Sequence, residues 1–459
     1  MAASLVSLTV SLLIFLHGAP VAVVTTDAAT AQLPRSELAA IFRVMADLLG
    51  DPTWPQLHPR PCTDTPWPGL QCEIAPDDGR RLRATRLAGC TSAPICFVDD
   101  QAAAVELPPA LFTNSSSLEQ LVLKSNPGLT GVIPAMLSEL RSLRVLSLSQ
   151  NGFRGEIPPE LGRLAALQQL DLSYNNLTGE VGVYMLFRRQ IPEEIGGMAS
   201  LSILDLSWNS IAGGVPVALG RLNLLEKADL SYNRLAGRVP PGVGSLRELV
   251  FLDLSHNELA GPLPASMAGL GKLQYLLLQD NPIGTAVPAA VVGSLRRLQV
   301  LGLSGCNLTG PIPRGAFAAL GRLTALSLDR NRLDGPIPAS LAALPHLGQL
   351  NLSQNRLAGE IALPTEFVER LGRRLDVRGN DELCVGRDRY GGVQASYLGA
   401  PPCVTAEGGD GSIGAGTSSS VEGSTGGAAT TGRGFRVYEV VGMFGGLVCH
   451  IALLLVFYL

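Results

Sequence analysis

The chain has 459 residues, of which only 16% are charged, and its 35 basic and 39 acidic side chains leave a formal net charge of −4. That balance excludes the strong basic field that draws a protein to nucleic acid or to an anionic membrane surface. Two or three domains would be ordinary for this length, but a fixed internal period makes length a poor guide to domain number.

Residues 1–28 begin MAASLVSLTVSLLIFLHGAP, with an apolar run from Leu5 to Leu16 followed by the small residues Ala19, Ala22 and Ala28. This pattern predicts a cleaved secretory signal, weighed against a buried N-terminal helix, and therefore an extracellular protein. Residues 29–110 read as an N-terminal cap. Within it, SELAAIFRVMADLLG predicts a helix capped by Ser36, with Leu38, Ile41, Phe42, Met45 and Leu49 on one stripe. Trp54 and Trp67 add apolar bulk. The four cap cysteines allow three pairings, of which the local ones, Cys62 with Cys72 and Cys90 with Cys96, are favoured. No CxxC or histidine partner points to zinc.

Residues 111–380 repeat one phrase. LEQLVLKSN, LRVLSLSQN, LQQLDLSYN, LSILDLSWN, LEKADLSYN, LVFLDLSHN, LQYLLLQDN, LQVLGLSGC, LTALSLDRN and LGQLNLSQN end at residues 126, 151, 175, 209, 233, 257, 281, 306, 331 and 355. A shortened copy ends at Asn380, and RLRATRLAGC, ending at Cys90, reads as a degenerate first coil. This is a leucine-rich repeat pattern. Each LxL segment is a short parallel strand with leucines inward and the intervening residues outward. The period-2 alternation and the Asn-x-x-x-Gly-x-x-x-Pro turns exclude helical repeats.

The predicted fold is an α/β solenoid, a horseshoe or superhelix with parallel strands on the concave face and disulfide-closed caps, because one coil alone cannot bury its leucines. About eleven strands spaced roughly 4.8 Å apart make a face on the order of 50 Å long. The asparagines form a buried ladder of mutually satisfied amides. Cys306 stands in that column as a structural thiol, glycine serves the tight turn, and proline ends the strand's outer edge. An insert, VGVYMLFRRQ at residues 181–190, breaks the period; it is either a functional loop or the product of unusual splicing.

Four residues before the ladder asparagine stand Asp171, Asp205, Asp229 and Asp253, and one before it stand Tyr174, Trp208, Tyr232 and His256. Phe251 and Tyr275 lie one column to the other side. Aromatic columns beside carboxylates suit a peptide or protein ligand carrying Lys or Arg, although solvated strand aspartates are common in LDLS repeats. Glycosylation sequons occur at Asn114, Asn176, Asn307 and Asn351, the last on the concave strands. His58, His256 and His346 stand on unrelated coils or caps, with no Ser-His-Asp set, phosphate loop or metal spacing, so neither an enzyme nor a cofactor is expected.

Cys384 and Cys403 close a C-terminal cap at residues 381–403. Residues 404–436 are a glycine- and serine-rich flexible linker. Residues 437–459 end in an apolar run from Val440 to Leu459, and the small residues from Ser424 to Ala428 ahead of a polar spacer favour a signal for a glycosylphosphatidylinositol (GPI) anchor over a single membrane span.

The WPGLQC stretch in the cap, the LDLSxNxLxGxIP repeat and the single array resemble plant leucine-rich repeat receptor-like proteins lacking a kinase domain. The second cap cysteine pair, GCNLTGPIP and the closing GNDELC are most similar to the group containing Too Many Mouths and the Piriformospora indica-insensitive protein. The insert departs from that pattern. The resemblance implies a co-receptor at the extracellular face of the plasma membrane, pairing with leucine-rich repeat receptor kinases in development or in responses to microbes. The alternative is an extracellular inhibitor of microbial cell-wall-degrading enzymes.

Overall fold

The computed structural model describes residues 32–49, 53–67, 69–75, 82–89, 106–109, 117–178, 191–386 and 398–403. The signal, the insert, the linker, the apolar terminus, Cys90, Cys96 and Asn114 lie outside the described residues.

Thirteen strands form one sheet among these residues, running from Leu70–Ile74 to Leu375–Asp376. The first strand pairs antiparallel with Leu82–Gly89, and every later pairing is parallel and in register. Leu82–Gly89 is thus a true first coil, as RLRATRLAGC suggests. The inward letters stack across strands, as in Leu170, Leu204, Ala228 and Leu252, and all are buried. A single coil such as the sixth brings Val243, Leu246, Leu249, Leu252, Leu254 and Leu259 to the core. At about 1.5–3 kcal/mol for each side chain buried, a coil without neighbours would forfeit most of its stabilisation.

The asparagine ladder is formed. Asn257 donates through Nδ2 to the carbonyls of Leu230 (3.0 Å), Leu254 (3.1 Å) and Ser255 (3.1 Å), and its Oδ1 accepts from the Leu235 N–H (2.9 Å). Asn151, Asn175, Asn209, Asn233, Asn281, Asn331, Asn355 and Asn380 repeat the arrangement. Cys306 keeps only part of it, with Sγ 3.1 Å from the Leu278 carbonyl. Lacking a side-chain acceptor there, the Ile283 N–H turns to the Asn281 carbonyl instead (2.8 Å).

The turns hold more structure than the repeat phrase announces. Asn-x-Leu-x-Gly segments add three short secondary sheets, one of them Thr309–Pro311, Arg332–Gly335, Arg356–Glu360 and Glu382–Cys384. No such strand forms at residues 282–287, where Pro282 lacks the N–H a ladder needs. The repeat proline does more than end a strand. Pro134, Pro158, Pro192, Pro216, Pro240, Pro264 and Pro338 each precede a five-residue 3-10 helix on the outer side.

The N-terminal helix spans Arg35–Leu49, so Ser36 lies inside it rather than capping it. Its buried side is Glu37, Ala40, Ile41 and Val44, whereas Leu38 and Phe42 are only half-buried; the apolar stripe is rotated from the expected one. The cause is Glu37. Its Oε1 accepts from the Ala84 N–H (2.9 Å) and Ser117 Oγ (3.2 Å), joining the helix to the first coil. Disulfides join Cys62 to Cys72 and Cys384 to Cys403, as the spacing predicts.

Candidate binding face

The residue before each ladder asparagine adopts left-handed backbone: Tyr174 (φ 53°), Trp208 (54°), Tyr232 (52°) and His256 (52°) follow Ser125 and Gln150 in this column. That conformation is unfavourable for bulky L-residues, and it persists because the asparagine amide ties down the carbonyls around it. Each ring is thereby aimed the same way at one strand spacing. The result is a stacked ladder with ring centroids 5.3, 3.8 and 4.0 Å apart and interplanar angles of 9°, 12° and 20°. Tyr174 and Trp208 remain 42% and 40% exposed, the largest exposures among the rings of this face.

The column continues in charge. His256 Nδ1 lies 3.4 Å from Asp280 Oδ2, and Arg330 Nη1 lies 2.9 Å from Asp280 Oδ1. Arg330 reaches back across Gly305, where a Cβ would stand 2.2 Å from Asp280 Oδ1. At the other end, the column runs on through Gln150, which accepts from Ser125 Oγ (2.6 Å).

The aspartates are in register on adjacent strands, as expected, but they are not a surface column. Asp171 is buried, Asp229 and Asp253 are each only 3% exposed, and Asp205 is half-buried. Their neighbours explain this: the ring ladder runs along one side and the Phe251–Tyr275 column along the other. Each carboxylate also holds the serine two residues on; Asp229 Oδ1, for example, accepts from Ser231 N–H (3.2 Å) and Oγ (2.7 Å). Two lysines that the repeat phrase did not single out supply cations. Lys124 Nζ is 3.1 Å from Asp171, and Lys227 Nζ is 3.3 Å from Asp205 and 4.0 Å from Asp229. In-register alignment would have revealed Lys227, which shares a column with Phe251.

One lysine does not neutralise three stacked carboxylates. Burial, with Asp205 and Asp253 beside it, pushes Asp229 up to about 8 against the pull of Lys227. Burial pushes Asp253 up to about 6, against its hydrogen bonds from Ser255. Asp171 moves the other way, because Ser173, Ser147 and Lys124 outweigh its burial. Burial and then the fields of Asp205 and Asp229 raise Tyr174.

Phe251, expected at the surface, is only 2% exposed, with Lys227 Nζ 5.4 Å from its ring centroid. Tyr275 tilts against it at 6.0 Å and its hydroxyl donates to Gln299 Oε1 (3.3 Å). Asn176 is exposed, Asn307 is half-buried, and Asn351 takes an aspartate's place, its Oδ1 accepting from Ser353 N–H (3.1 Å) and Oγ (2.8 Å). Cys306 is wholly buried, its thiol pushed up to about 12 by burial.

Leucine rich repeat family models match residues 100–153 and 296–357, and 166–185, 200–222 and 248–270. Receptor like protein 29 of Arabidopsis thaliana is 36% identical over 30% of this chain and 35% of its own. Piriformospora indica-insensitive protein 2 of Arabidopsis thaliana is 32% identical over 28% of this chain and 35% of its own. The chain thus spans about a third of the length of these curated relatives. Among solved structures, that of PEPR1–AtPEP1 matches with a TM-score of 0.57 at 26% identity, covering 77% of this chain and 51% of that one.

Proposed function

From a leucine-rich repeat solenoid similar to plant receptor-like proteins, we infer a cell-surface receptor-like protein or co-receptor that binds a protein or peptide ligand on its concave face. It signals through a partner leucine-rich repeat receptor kinase at the extracellular face of the plasma membrane, held there by a lipid anchor or a single span, in development or in the response to microbes. The observation that carries this reading is the half-exposed Tyr174–Trp208–Tyr232–His256 ladder. Rigid aromatic side chains supply contact area at little entropic cost and are frequent hot spots. A similar solved structure, that of the plant peptide hormone receptor RGFR1 in complex with RGF2 (27% identity, TM-score 0.50), supports a peptide partner. A glycan at Asn351 on the concave strands would confine a partner to the earlier coils.

Capture by the full-length chain of a panel of receptor-kinase ectodomains tests the proposal. Trp208→Ala and Tyr232→Ala should each weaken capture by about 2 kcal/mol, roughly thirtyfold, with thermal unfolding retained. Unchanged capture would remove the concave face from the reading. Release of the protein from intact cells by phosphatidylinositol-specific phospholipase would identify the lipid anchor.

A further inference from the structure

The ring ladder is closed at one end and open at the other. His256, at the closed end, stacks on Tyr232 and meets Asp280, which is itself held by Arg330. At the open end, Tyr174 stacks on Trp208 through one face only. The next rung would be Gln150, whose side chain accepts from Ser125 Oγ. Among the described residues no ring or cation covers the second face of Tyr174, and the residue is 42% exposed.

The charge beside this end is unbalanced. Lys124 is committed to Asp171, and with Asp229 holding its proton near neutral pH, Asp205 and Asp253 face Lys227, the one lysine paired with this group among the described residues. The field reaches the rung: Asp205 acts on the Tyr174 hydroxyl. An aromatic face in a negative field, one coil spacing from an occupied rung, accommodates a flat cation better than a neutral or a spherical one.

We propose that the open face of Tyr174 is the docking rung for a planar cation, the guanidinium of an arginine in an extended peptide segment. The arginine becomes the next step of the ladder, stacked on Tyr174 and attracted by the carboxylates behind it, and this fixes where along the array the ligand's register begins. The inference rests on the concave-face reading above and narrows it to a ligand class.

The test uses the full-length chain and three probes, hexa-arginine, hexalysine and hexa-citrulline, followed by calorimetry and tryptophan fluorescence. Hexa-arginine should bind several-fold tighter than hexalysine and at least about tenfold tighter than hexa-citrulline, which is flat but uncharged. Tyr174→Leu should weaken hexa-arginine by about five- to tenfold and abolish its preference over hexalysine, whereas Tyr174→Phe, which keeps the ring face, should retain both. Equal binding of arginine and lysine probes, or hexa-arginine binding unaffected by Tyr174→Leu, would overturn the proposal. If Tyr174→Phe also loses the preference, the ring face is not the determinant and the proposal falls. If the arginine preference is absent while Trp208→Ala still prevents ectodomain capture, the planar-cation inference fails alone and the concave face stands.

Discussion

Asp229 and Asp253 follow the alternation that sends every second strand residue outward, yet they titrate as buried acids, at about 8 and about 6. A carboxyl raised in the folded state holds its proton where the unfolded chain, near the ordinary 3.8, has released it. Stability therefore falls as pH rises from about 4 to about 6 for Asp253, and on to about 8 for Asp229. Asp171 has the opposite sign: its contribution is present above the ordinary carboxylate range and is lost as pH falls through its lowered value. Asp229→Asn and Asp253→Asn should fold, because Asn351 already holds Ser353 in this column through the same two hydrogen bonds. Each should raise the Tm by roughly 2–4 °C at pH 8 and have little effect at pH 4.5. A pH-independent gain in thermal scans would refute the proton-linked account. The aspartate positions were legible in the repeat, but their burial was not, since it depends on what stands one coil away on either side.

The coil is the element, and its tolerance depends on the asparagine and on close backbone approach. Asn257→Ala deprives three carbonyls and the Leu235 N–H of their partner. It should cost about 2–4 kcal/mol. Asn257→Cys should cost less, because a thiol there can still donate to the Leu230 carbonyl, as Cys306 does to Leu278. Equal losses by chemical denaturation would contradict the ladder's dependence on its donors. On the outer side, a Cβ at Gly220 would lie 2.2 Å from the Gly242 carbonyl oxygen, so Gly220→Ala should shift one 3-10 helix and cost about 1–3 kcal/mol. The glycine of the Asn-x-x-x-Gly phrase was legible as a turn residue. The glycines on the outer helices were not, because their constraint comes from the next coil.

Across the whole molecule, stability propagates between neighbours and is weakest at the ends. The Cys384–Cys403 disulfide joins the last secondary-sheet strand, Glu382–Cys384, to the closing segment, where the Cys403 N–H also donates to the Val385 carbonyl (2.9 Å). Cys384→Ser with Cys403→Ser should cost about 2–4 kcal/mol, and hydrogen exchange should accelerate in the last coils before the central ones. Uniform acceleration along the array would show a single cooperative unit instead. At the opposite end the cap rests on Glu37, which apolar periodicity could not select because its partners, Ala84 and Ser117, lie 47 and 80 residues away.

The 24- and 25-residue period, the inward leucines, the asparagine column and the Cys384–Cys403 disulfide were determined by the sequence alone, since each obeys a rule of spacing within one coil or one cap, whereas the structure chose Cys62–Cys72 among the pairings the cap cysteines allow. Only the tertiary structure decided that the rings stack face to face with one end open, that the carboxylates sink and share a lysine, and that the cap helix turns a glutamate inward. The physical reason is that exposure, ring stacking and carboxylate charge are set by atoms on adjacent coils a few ångströms off, which lie a full repeat or more away along the chain.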